Sequence, residues 1–91
     1  MSRQRREVRY QGRVQGVGFR LTAAEVARGY DVTGFVQNLP DGSVRLVAEA
    51  DAEELEAFLA AVRRAMHGYI HGEDVVSQPA TGEFRDFTIR R

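Results

Sequence analysis

The sequence predicts an α+β domain with two helices on one face of a mainly antiparallel sheet. Three observations carry the expectation. Several segments alternate apolar and polar residues as half-buried strands do, two stretches repeat apolar residues at helical spacing, and these segments interleave in the order β-α-β-β-α-β. That order is a split βαβ, which folds as a ferredoxin-like two-layer α/β sandwich. In such a sandwich the first and second strands run parallel with the third between them. Their C-terminal ends therefore lie at one edge of the sheet.

Taken in order, "EVRYQGRV" sets Val8, Tyr10, Gly12 and Val14 on one side of a first strand. From Phe19 to Arg28 there is neither Gly nor Pro, and Phe19, Ala23, Val26, Ala27 and Tyr30 recur as a helical stripe with Gly29 as its stop. "DVTGFVQN" opposes Val32, Gly34 and Val36 to Thr33, Phe35 and Gln37 in a second strand. "LPDG" at 39–42 is a turn, because proline presets φ and glycine accepts a positive φ; "SVRLVAEA" returns as a third strand, making residues 32–50 a hairpin. Asp51 then caps a second helix, with Glu54 at capping-box spacing. Leu55, Phe58, Leu59, Val62 and Met66 form its buried stripe, and Gly68 ends it. Residues 69–78 hold one strand around Val75 and Val76, "QPATGE" is a turn-rich link, and "FRDFTIRR" closes the sheet with Phe87 and Ile89 inward.

The 91 residues suffice for a single domain, 1–91, with one modest core. Arg3, Arg5 and Arg6 read as a solvated, flexible basic tail over residues 1–6. Thirteen Lys and Arg balance thirteen Asp and Glu, and no strand carries an "RGFGFV"-type aromatic run, so nucleic acid is not an expected partner. The absence of cysteine excludes a disulfide framework and a thiolate metal site. "MSRQRREVRY" has no apolar run of the signal-peptide kind, and no stretch approaches the roughly 20 apolar residues of a membrane span. A soluble cytoplasmic protein without a membrane partner is expected.

Chemistry is suggested first by "YQGRVQGVGFR", residues 10–20, where Gly12, Gly16 and Gly18 precede Arg20. The spacing fails the dinucleotide fingerprint, since Leu21 stands where a third glycine is needed, and the Gly-Lys-Ser/Thr of a P-loop is absent. What remains is a strand-to-helix loop whose N–H groups, freed by glycine, can cradle an anion at the positive end of a helix, with Arg20 adding a planar fork suited to phosphate oxygens. A tight turn with a surface arginine is the plain alternative. Asn38 ends the second strand at the same sheet edge, two strand spacings or roughly 10 Å away. Alone it reads as a turn asparagine; together with Arg20 it suggests a site. His67 and His71 are four apart, but Gly68 and Gly72 interrupt the helix there and no third ligand is obvious, so they read as surface histidines and no metal is expected.

"GRVQGVGFR" together with "GFVQNLPDGSV" closely resembles the acylphosphatase family, and the likeness extends from Val8 to the closing "TGEFRDFTIRR". The resemblance implies a metal-independent hydrolase, without a cofactor, that splits the carboxyl-phosphate anhydride of a small acyl phosphate into carboxylate and inorganic phosphate. It implies Arg20 as the phosphate-binding arginine, Asn38 as the water-orienting asparagine, and the loop amides of Gln15, Gly16, Val17 and Gly18 as the phosphate cradle. A non-catalytic phosphate- or acyl-phosphate-binding module on the same fold is the alternative. Two departures stand out: Ala50 occupies a position usually glycine, where only a local backbone effect is expected, and "LTAA" at 21–24 replaces bulkier residues that would wall the pocket. A free-standing monomer is expected from the length.

Overall fold

The computed structural model describes residues 2–91. The elements run β1 (Arg3–Gly12), α1 (Phe19–Ala27), β2 (Thr33–Asn38), β3 (Val44–Asp51), α2 (Ala52–Ala65), β4 (Ile70–Pro79) and β5 (Phe87–Arg90). One sheet holds all the strands in the order β4-β1-β3-β2-β5. β3 is antiparallel to both β1 and β2, so β1 and β2 run parallel on either side of it. The ferredoxin-like expectation holds, with one refinement. The chain after α2 makes two strands on opposite edges: β4 pairs antiparallel with β1, and β5 pairs parallel with β2.

Strand alternation decides the core. Val8 and Tyr10 of β1, Val36 of β2, and Val44, Leu46, Ala48 and Ala50 of β3 face the helices, where they meet Phe19, Ala23 and Ala27 of α1 and Leu55, Phe58 and Val62 of α2. Phe58 is the hub, with its ring against Tyr30 and edge-on to Phe87. On the other face, Phe35 is buried under Phe84 and the Arg90 guanidinium, which lies 3.7 Å from its ring centre.

Four expectations are corrected and one is borne out. The basic segment is no tail: Arg3 to Arg6 form the first half of β1, because Arg3 to Arg6 pair with Asp51 to Ala48 on one side and Gln4 to Arg6 with Pro79 to Ser77 on the other. Arg5 pairs with Glu49 and Glu83 and Arg6 with Glu56, while Met1 lies outside the described residues. As expected, α1 ends at Gly29: Ala27 is its last helical residue, Arg28 its C-cap, and the turn tightens into i→i−3 bonds from Arg28, Gly29 and Tyr30. Asp51 occupies the N-cap of α2 without a side-chain cap bond, and Glu54 accepts instead from the backbone N–H of Asp31 at 2.7 Å. The closing strand begins only at Phe87, and Ile89 is 43% exposed, because β5 is a short edge strand and Ile89 lines the open cleft beside α1. Ala50, finally, is fully buried in the core, so it acts on packing as well as on the local backbone.

Candidate active site

Residues 13–18 carry the chain from β1 to α1. Gly16 and Gly18 sit at φ +77° and +79°, a left-handed conformation that other residues reach only with strain. The two turns open the loop outward. Among the described residues, no backbone N–H of Gln15, Gly16, Val17 or Gly18 donates to a protein acceptor. α1 begins directly after them, with Gly18 as N-cap, no side-chain cap and no acidic residue in its first turn. α2, by contrast, has Glu53 and Glu54 there. The N-terminus of α1 thus keeps its positive end free of protein anions.

A cleft of about 570 Å³ opens over this loop. Val14, Gly16, Gly18, Phe19, Arg20 and Leu21 line it from the loop and α1, Asn38 from the end of β2, and Ile89 and Arg91 from the C-terminal side. Arg20 forms no ion pair with a carboxylate among the described residues. Its Nη1 donates to the Arg90 carbonyl at 3.3 Å, which draws the guanidinium toward β5. Asn38 is the second unusual group. Its Oδ1 is buried and has no hydrogen-bond partner among the described residues, an arrangement that costs about 1–3 kcal/mol when left uncompensated. No side chain lining the cleft carries a carboxylate, imidazole or thiol.

The structure therefore brings together four of the residues singled out from sequence: Gly16, Gly18, Arg20 and Asn38. Val17 turns partly into the core, and the Gln15 side chain points away to the β2–β3 turn, so only their backbones belong to the loop's outward face. Of the "LTAA" segment, Leu21 alone reaches the cleft, and it is 60% exposed. Ile89 and Arg91 were not foreseen as lining residues; their signal was a strand alternation that assigned Ile89 to the core. His67 and His71 line a separate cleft with Arg63, Ile70 and Glu73. No three His, Cys, Asp or Glu side chains gather at metal-binding distances among the described residues.

An uncapped helix start, unoccupied loop amides and an arginine free of carboxylates form an arrangement with the chemistry to bind a phosphoryl group or a similar oxyanion. A family model for acylphosphatase matches residues 6–89, and the chain belongs to the acylphosphatase family. It is 49% identical over 81 residues to an acylphosphatase of Methylococcus capsulatus, covering 88% of each chain. It is 40% identical over 81 residues to an acylphosphatase of Methanospirillum hungatei, covering 88% of this chain and 89% of that one. The crystal structure of acylphosphatase from Bacillus subtilis superposes with a TM-score of 0.88 at 28% identity, covering 97% of this chain and 99% of that one.

Proposed function

We propose that this chain is an acylphosphatase in which the 15–18 amides and Arg20 hold the phosphoryl group and Asn38 orients the attacking water. The observation that carries the reading is the cleft itself, where free loop amides, a carboxylate-free arginine and an unpartnered buried amide oxygen converge.

The chemistry suits so sparse a site. The water oxygen bonds to phosphorus as the bond from phosphorus to the acyl oxygen breaks, and that electron pair leaves on the carboxylate. The leaving group has a pKa near ~4, so it departs without a general acid. The transition state is loose, and the protein's task is to position the reactants and stabilise charge on the phosphoryl oxygens. Loop N–H groups, the α1 N-terminus and the Arg20 fork do this. The Asn38 carboxamide can both accept from and donate to water, and Oδ1 is the acceptor left without a partner. The water's proton passes to a phosphoryl oxygen, so no histidine or carboxylate base is required.

The test is release of phosphate and carboxylate in equal amounts from benzoyl phosphate and acetyl phosphate in the presence of chelator. Tight phosphate binding without release would sink the enzymatic reading in favour of a binding module. The same reading takes the protein to be a cytoplasmic monomer, consistent with a cleft built from one chain, and light scattering of the purified protein tests the second point. No helix among the described residues is long and apolar enough to cross a membrane.

A further inference from the structure

The side chain of Gln15 makes a connection that an amide cradle does not call for. Its Nε2 donates to the Leu39 carbonyl at 2.8 Å and to the Ser43 carbonyl at 2.9 Å. Both partners are acceptors only, so they fix which end of the amide carries the nitrogen. Leu39 follows Asn38 directly, and Ser43 O also accepts from Leu39 N at 2.9 Å, where the hairpin turn closes. One side chain from the loop after β1 therefore grips both ends of the turn after β2. β1 and β2 are not neighbours, because β3 lies between them, so no sheet ladder fixes the loop against Asn38. Gln15 provides the side-chain hydrogen bonds that join residues 13–18 to residues 38–43 among the described residues.

We propose that the Gln15 side chain is a positioning residue that sets the separation between the phosphate cradle and the Asn38 amide. It rests on the assignment of Arg20 and Asn38 to the reaction. The Gln15 side chain touches no reacting atom; it holds in register two groups that act on opposite partners, phosphoryl and water. Its removal strands no acceptor. The Leu39 carbonyl keeps the Gly42 N–H at 3.1 Å, and the Ser43 carbonyl keeps the Leu39 N–H. Loss of the link is therefore expected to show in rate before it shows in stability.

The experiment compares Gln15→Leu and Gln15→Met, which fill the space without a donor, with wild type and in an Asn38→Ala background. The readouts are kcat on benzoyl phosphate, inhibition by inorganic phosphate, and the urea midpoint. In the wild-type background kcat is expected to fall about tenfold or more, reaching the order of a hundredfold where the amide shifts by about 1 Å. Phosphate inhibition stays within about twofold, because the cradle's own glycine-set geometry is untouched. In the Asn38→Ala background the same substitutions cost much less, since the group they position is gone. Near-normal kcat in both variants, a full multiplicative loss on top of Asn38→Ala, or a rate loss that merely follows unfolding would overturn the role of Gln15. An inactive wild type or a fully active Asn38→Ala would remove the functional reading itself and this role with it, so the two failures are distinguishable.

Discussion

At the scale of single residues, Arg20 and Asn38 call for opposite experiments. Arg20 is held by one bond to a backbone carbonyl and otherwise faces the cleft, so its planar fork is available to two phosphoryl oxygens at once. Arg20→Lys keeps the charge and loses the fork. Steady-state kinetics should show weaker phosphate binding and a rate loss of at least ~10²-fold, the scale of removing one preorganised oxyanion donor. Near-normal kinetics in a folded variant would take Arg20 out of the site. Asn38 is expected to leave binding alone. Asn38→Ala should lower kcat severely while inhibition by phosphate changes little, the signature of an interaction made in the transition state. Its effect on stability follows from burial. A turn asparagine exposed to water would be nearly neutral to replace, but Oδ1 here is buried and unpaired. The water that Oδ1 is proposed to hold also satisfies it, so Asn38→Ala gives up that bond and a little packing, and its melting temperature should fall only modestly. A phosphate affinity that collapses together with kcat would make Asn38 a binding residue.

At the scale of elements, the β4–β5 connection shows what a sequence can hide. Glu49 is fully buried on β3, facing away from the helices. It accepts from Thr81 N at 2.9 Å, Thr81 Oγ1 at 2.8 Å and Gly82 N at 2.9 Å, with Arg5 alongside at 3.4 Å. The carboxylate thus fastens residues 81–82 over the sheet, upstream of the point where β5 joins β2. Burial pushes its pKa up, but the Thr81 and Gly82 donors and Arg5 together outweigh burial and hold it below the ordinary 4.5. A lowered carboxyl contributes stability in full above its unfolded pKa and loses it as pH falls through the folded value. Glu49→Gln should therefore cost roughly 1–3 kcal/mol at neutral pH, read from urea midpoints, and the gap to wild type should narrow as the pH drops below about 4.5. A gap that stays constant with pH would mean that Glu49 contributes packing alone. None of this was legible in "SVRLVAEA", where alternation marks Glu49 simply as an outward residue. The same blindness made Arg3 to Arg6 a tail, since their partners lie some forty or more residues away. Local signals fared better. The 39–42 turn, the stripe of α2 and the glycine loop each depend on neighbours within a few positions, and each was placed from sequence.

At the scale of the whole molecule, the order β4-β1-β3-β2-β5 brings the ends of β1 and β2 to one edge, and the central part of that order, β3 between β1 and β2, was expected from the element sequence. What escaped the sequence was the wall that β5 adds to the cleft, because a parallel edge strand is fixed by tertiary contact and not by local pattern. The distribution of charge over the fold then bears on the role of metal. The chain has zero net charge, and several of its carboxylates form structural pairs such as Glu7–Arg45, Glu73–Arg63 and Glu49–Arg5. The side chains lining the cleft include two arginines and Asn38 but no carboxylate or imidazole, and the two histidines sit in a different depression. A divalent cation bound to substrate oxygens there would compete with the Arg20 guanidinium and the α1 N-terminus for the same negative charge. Phosphoryl transfer needs that charge balanced, and on the proposed reading Arg20 and the α1 N-terminus are to supply the balance without a metal. Hydrolysis of benzoyl phosphate should thus survive exhaustive dialysis against EDTA and gain nothing from added magnesium or zinc. Activity that is lost on chelation and restored by a divalent ion would show that the arginine and the helix N-terminus do not suffice.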